Sequence, residues 1–309
     1  MLQKDDLLEE INNMCETVLK VPGVYNATII QVDGYPLATT GVWLAEDEVF
    51  DLGAIVAAIS MAARKIERKL DYILVEGTDS KIAIFNLIKD KIILATTTSK
   101  NVNLGALFIQ AKRLKKSINP LERYVDLLVK MPLIEFNESE KRRLIERTKT
   151  HNLYDNSFIS IGRLWMQITP ALYEEISSII NEFKRNLNQK IEVLLIANNA
   201  FQIFPLTNTE PSANPLAFSL FDISRKLLRV FRQEDIEQLM ISFSTQDIFI
   251  YDFFGGIIVI KIIDKNFKIG LIRLLGFTLR KKLSTVFEKH SVNIKKLKPE
   301  INLADILSD

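Results

Sequence analysis

The sequence predicts an α/β protein of the α+β kind in which one helix–strand unit is used twice, and three observations carry that expectation. The stretch GVYNATIIQVDGYPLATTGVW sets Asp33-Gly34 between two alternating apolar runs. Asp-Gly in that setting is a strong hairpin signal, because glycine accepts the positive φ that a tight turn demands. The periodicities that surround it read as helix, hairpin, helix, three strands and helix. The same features then recur in the same order 165 or 166 positions further on.

The first unit opens with a helix over residues 5–20, ended by Pro22-Gly23, since proline cannot extend a helix and glycine suits its exit. Strands over 24–32 and 35–42 make the hairpin. A helix follows over 47–70, then strands over 72–76, 81–88 and 91–98, and a last helix over 103–117. Glu9 in LLEEI corresponds to Glu174 in LYEEI, 165 positions on. Asp33-Gly34 corresponds to Asn198-Asn199, and asparagine also tolerates the left-handed conformation. Leu104-Gly105 matches Ile269-Gly270. Between these anchors the displacement is 166: Ile73-Leu74-Val75 pairs with Leu239-Met240-Ile241, and IAIFNLIKDKIILA with IFIYDFFGGIIVIK, which turns Lys89-Asp90 into Gly255-Gly256. One inserted residue explains the change of spacing. Asn214-Pro215 is expected to supply an N-cap with proline at the first helical position.

The expected organisation is therefore a module over 1–118, a partly helical linker over 119–169, a diverged module over 170–289 and a tail over 290–309. The chain has 309 residues, 48% hydrophobic and 25% charged, an ordinary balance for two modest domains. With 40 basic and 38 acidic residues the formal net charge is +2, which commits the chain to no nucleic-acid partner. The charged start MLQKDDLLEE lacks the apolar core of a signal peptide, and GGIIVIKII is short and broken by Lys261. The expectation is a cytoplasmic protein with no membrane-spanning segment.

Little in the chain points to catalysis. There is no GxxxxGK[ST] stretch and no GxGxxG fingerprint to cradle phosphates, so no nucleotide cofactor is expected. Cys15, the single cysteine, falls in an amphipathic helix and reads as a buried small hydrophobe. His151 and His290 lack metal-ligand spacing and read as surface residues, so no metal is expected. Glu9-Glu10 and Glu174-Glu175 diverge by about 100° on a helix and cannot converge on one bond. Lys112, Arg113, Lys115 and Lys116, echoed by Arg280, Lys281 and Lys282, place positive charge toward the C-terminal ends of the two last helices, where it meets the helix dipole favourably.

The element order, together with VPGV before the first strand, VDGYPLA at the turn, the Ala-rich AIVAAISMAARKI and the final NLGALFIQAKRL, resembles the roadblock / dynein light chain family. The second half is similar to a diverged copy that lacks the Asp-Gly turn and the Ala-rich helix. The resemblance implies, for each module, a five-stranded antiparallel sheet with the first and last helices on one face and the middle helix on the other. It implies that modules pair through the strand after the middle helix and through the middle helices themselves. It also implies a non-catalytic platform for a Ras-like small GTPase, or for other roadblock-type proteins.

The two middle helices bear on that pairing. In the first, Leu52, Ile55, Val56, Ile59, Ala63, Ile66 and Leu70 share an arc suited to the sheet, while Gly53, Ala54, Ala57, Ala58 and Met61 fall on the other side. In the second, Leu216, Leu220, Ile223, Leu227 and Val230 form the sheet arc and Ala217, Phe221 and Leu228 a separate one. Small against large is complementary, so Phe221 and Leu228 are expected on the Ala-lined face, in an intrachain pseudo-dimer. Two other readings stand beside this one: the alanines reflect helix propensity alone, or pairing runs between chains as a homodimer. Arg64, Lys65 and Arg68 are the expected partner-docking residues, as charged rims fix orientation. A structural scaffold without GTPase contact is the alternative function, and binding of anionic lipid or nucleic acid by the basic last helices a third reading.

Overall fold

Strands that are apolar at successive positions, such as Ser80–Ile88 and Gly256–Ile262, need cover on both faces. The fold supplies it. The structure, a computed structural model, describes residues 4–41, 44–88, 91–122, 159–161, 164–166, 168–187, 191–197, 202–205, 213–233, 235–263 and 269–291. Its helices are α1 (Lys4–Leu19), α2 (Glu46–Ile66), α3 (Leu104–Ile118), α4 (Pro170–Leu187), α5 (Ala213–Val230) and α6 (Ile269–His290). Its strands are β1 (Val24–Gln31), β2 (Pro36–Gly41), β3 (Leu70–Gly77), β4 (Ser80–Ile88), β5 (Ile92–Ser99), β6 (Ile159–Ile161), β7 (Leu164–Met166), β8 (Ile191–Ile196), β9 (Gln202–Phe204), β10 (Ile236–Phe243), β11 (Asp247–Phe253) and β12 (Gly256–Ile262).

Ten strands form one antiparallel sheet in the order β2-β1-β5-β4-β3-β10-β11-β12-β8-β9, and β6 and β7 form a separate hairpin. The ten-strand order runs edge to centre as hairpin, last strand, middle strand, first strand, and then repeats outward in mirror sequence. Alternate residues of each strand enter different cores. Met240 and Leu74 face a core shared with residues of α1, α3, α4 and α6, while Leu239, Ile241, Ile73 and Val75 face a second core with residues of α2 and α5. Each half of the sheet thus has two helices on one face and one on the other. The resemblance implied that arrangement, and the fold is roadblock-like.

Several boundaries differ from expectation. The first hairpin is wider than a two-residue turn: β1 ends at Gln31 and β2 begins at Pro36, and the N–H of Gly34, with φ +99°, donates to the carbonyl of Gln31 at 2.9 Å. Helix α2 stops at Ile66, because Glu67 is extended (φ −148°, ψ 131°), so Leu70 opens β3 instead of facing the sheet from a helix. Asn214 lies inside α5 and not before it. In the β11–β12 turn the positive-φ residues are Phe254 and Gly255, and Gly256 is the first residue of β12. A Cβ on Gly256 would meet the carbonyl oxygen of Ile196, so this glycine serves strand approach and not the turn. The expected turns at Lys89-Asp90 and Asn198-Asn199 lie outside the described residues, as do His151 and nearly all of the tail. The same holds for most of residues 119–169, apart from a 3-10 turn at Asn119–Leu121 and the β6–β7 hairpin, which lies where a partly helical linker was expected.

Candidate docking platform

The site begins at the central seam. Strand β3 pairs with β10 so that Leu74 stands opposite Met240, Ile73 opposite Ile241 and Val75 opposite Leu239. Met240 is the residue 166 positions beyond Leu74. Each flanking pair is the counterpart of the other under that displacement, and the relation extends to Leu70 with Phe243 and Gly77 with Ile236. That is the contact pattern of a two-fold axis, in which residue i meets j and the counterpart of j meets that of i.

The same reciprocity governs the connections beside the seam. Glu67, in the α2–β3 connection, accepts from Ser244 Oγ at 2.8 Å, Thr245 Oγ1 at 2.7 Å and Gln246 Nε2 at 3.3 Å, all in the β10–β11 turn. Burial alone would raise its carboxyl, but these donors together hold it below the usual glutamate range. Gln233, 166 positions on, reaches Ser80 at the start of β4 from the α5–β10 connection. Each half thus grips the other's hairpin next to the seam, β10–β11 in one direction and β3–β4 in the other.

Above the seam α2 packs along α5. The α2 helix begins where the carboxylate of Glu48 accepts the N–H of Ala45 at 2.8 Å, since alanine offers no capping oxygen. Leu52, Val56, Ile59 and Ala63 are buried in the core over the sheet. Gly53 lies against the chain's own β1–β2 turn, where a Cβ would collide with the carbonyl oxygen of Gly34. Ala57, one helical turn further along that side, is buried as well.

The residues expected in pairing divide into two groups. Ala57, Ala217, Phe221 and Leu228 are buried, whereas Ala54, Ala58 and Met61 are exposed. The first turns of the small-residue side meet a hairpin, which helical periodicity cannot distinguish from a second helix. Phe221 carries the Arg225 guanidinium 5.0 Å from its ring centroid, and Arg225 pairs with Asp252.

Of the expected docking residues, Lys65 is exposed on the last turn of α2, and Arg68 is exposed in the connection beyond it, not on the helix. Arg64 is partly buried and donates to Asn86 Oδ1 of β4 at 3.3 Å, so it is turned toward its own sheet. Two residues not singled out beforehand stand on this surface: Tyr35 (51% exposed) and Phe50 (44%), with ring centroids 5.9 Å apart. Their signal was present in the sequence as large apolar side chains at a turn and on the outer arc of a helix.

Cys15 is buried, its thiol donates to the carbonyl of Ala27 at 2.9 Å, and burial pushes it up to about 12. His290, expected at the surface, is partly buried and lies 3.3 Å from Glu175, which also accepts from Lys289 at 2.8 Å. Lys282 bonds Glu182, and Arg280 comes within 3.9 Å of Asp252. Among the described residues no group of three His, Cys, Asp or Glu side chains is placed to hold a metal ion, and no described helix is long and apolar enough to cross a membrane.

The sheet order and helix placement define a roadblock-like α+β protein. Solved structures with similarity to part of the chain include the Roadblock/LC7 domain from Streptomyces avermitilis, at 16% identity over 36% of this chain and 97% of that one, with a TM-score of 0.33. MglB from Myxococcus xanthus is similar at 15% identity over 40% and 95% of the two chains, with a TM-score of 0.35. The gliding protein MglB from Thermus thermophilus is similar at 16% identity over 39% and 93%, with a TM-score of 0.34. No protein-family profile and no curated protein sequence matches the chain.

Proposed function

We propose that the chain is a non-catalytic platform in which two roadblock-like modules, 1–118 and 170–289, clasp each other as an intrachain pseudo-dimer, and that the α2–α5 surface binds and regulates a Ras-like small GTPase. The reciprocal register about Leu74 and Met240 is the observation that carries the pairing. It occupies the strand edge and helix face through which the resemblance implies that separate modules associate. The partner class comes from that resemblance. Lys65 and Arg68 form the charged rim of the docking surface, and Tyr35 and Phe50 add apolar contact area beside it.

The test is binding of the purified full chain to Ras-like GTPases loaded with GDP or a GTP analogue, followed by calorimetry. A complex that depends on the nucleotide, and that the double change Lys65→Glu and Arg68→Glu weakens about tenfold or more, supports the reading. Binding that ignores nucleotide state, or none across the panel, favours a scaffold that assembles with other roadblock-type chains.

A further inference from the structure

We propose that a second copy of this chain docks on the exposed stripe of α2, helix against helix and antiparallel. Phe50, Ala54, Ala58, Met61 and Lys65 are exposed at intervals of four, four, three and four residues, which is one face of a helix. Phe50 and Met61 are 44% and 46% exposed, and Tyr35 extends the patch sideways. A surface helix facing water normally carries charge there. On α5 three of the four exposed positions among those described are charged: Asp222, Lys226 and Arg229, beside Ser219. The apolar face therefore belongs to one half only, and the two-fold relation within the chain supplies no apolar mate for it.

The stripe is complementary to itself when reversed. It reads large, small, small, large, so a two-fold axis between Ala54 and Ala58 sets Phe50 beside Met61 of the second copy, and the alanines let the helix axes come close. Charge selects the same direction. Glu48 and Asp51 lie at the start of α2, and Lys65 and Arg68 lie at and just beyond its end. An antiparallel pair sets acid beside base at both ends, whereas a parallel pair would stack like charges. A contact made by one helix and one tyrosine falls below the roughly 1,200 Å² of a standard interface, so the dimer is weak and reversible. It covers the face proposed above for a partner, but it does not rest on that proposal.

Sedimentation equilibrium of the full chain alone, from about 1 µM to about 500 µM, tests it without any GTPase, so its outcome is separate from that of the binding assay. The weight-average mass should climb from 35.4 kDa toward twice that value. Ala58→Glu, at an exposed position, should hold the chain at the monomer mass while its circular dichroism and thermal midpoint stay unchanged. Lys65→Glu, which sets a negative charge against the acidic start of α2 in the second copy, should weaken association severalfold. A mass that stays at 35.4 kDa throughout overturns the proposal. A dimer that Ala58→Glu leaves intact overturns it too, because the contact would then lie elsewhere.

Discussion

Glu76 is 2% exposed at the central seam, opposite Gln238, with the Arg273 guanidinium of α6 on one carboxylate oxygen and Lys81 Nζ 4.0 Å away. Burial is the largest influence on its carboxyl and raises it, and the attraction of Arg273 and Lys81 recovers only part of the shift. A raised folded-state value means that the folded protein holds this proton more tightly than the unfolded chain does. The associated stability is fully present below the ordinary glutamate range and is lost as pH rises through the raised folded value. Glu76→Gln removes that titration. The urea midpoint of the variant relative to wild type should therefore improve from about pH 4 to about pH 7. If the variant instead loses ground at neutral pH, the pairing with Arg273 outweighs burial.

At the scale of elements, the β1–β2 hairpin and α2 are coupled through backbone contact. Gly34 needs its glycine for φ +99°, and Gly53 needs its own because the carbonyl of Gly34 occupies the space a Cβ would take. Alanine is the better helix former at an unconstrained position. Here Gly53→Ala should destabilise by about 1–3 kcal/mol, since either the turn or the helix must shift. Chemical denaturation of the two proteins measures the difference. A stabilised variant would mean that the turn moves aside without cost. The helix end illustrates the same dependence on neighbours. Periodicity ran the apolar pattern on to Leu70, but Glu67 leaves the helix to meet three donors from the β10–β11 turn, and Leu70 joins the sheet.

For the whole molecule, both cores contain residues from each half: Leu74 with Met240 on one face, Val75 with Leu239 on the other. Neither half encloses its core alone, so the described sheet should unfold in a single cooperative transition. Phe221 is buried where α5 joins α2 over the seam. Phe221→Ala should lower stability by about 3–5 kcal/mol without splitting that transition. Two separate steps in urea, followed by circular dichroism and tryptophan fluorescence, would show halves that fold independently.

Within the two repeated units, sequence alone determined the kinds of element and their order, because periods of 3.6 and 2 and the Asp-Gly turn are local properties, and a displacement of 165 to 166 exposed their recurrence; the β6–β7 hairpin between them it missed. It placed Cys15, Leu228 and Phe221 indoors for the same reason. What tertiary structure decided was which surface meets which. Ala54, Ala57 and Ala58 look alike along a helix, yet Ala57 is buried and the other two are left in water. Arg64 and Lys65 are neighbours in the chain, yet one turns to Asn86 and the other to solvent. Burial depends on residues far away in sequence, so only the assembled sheet and its crossing helices settle it.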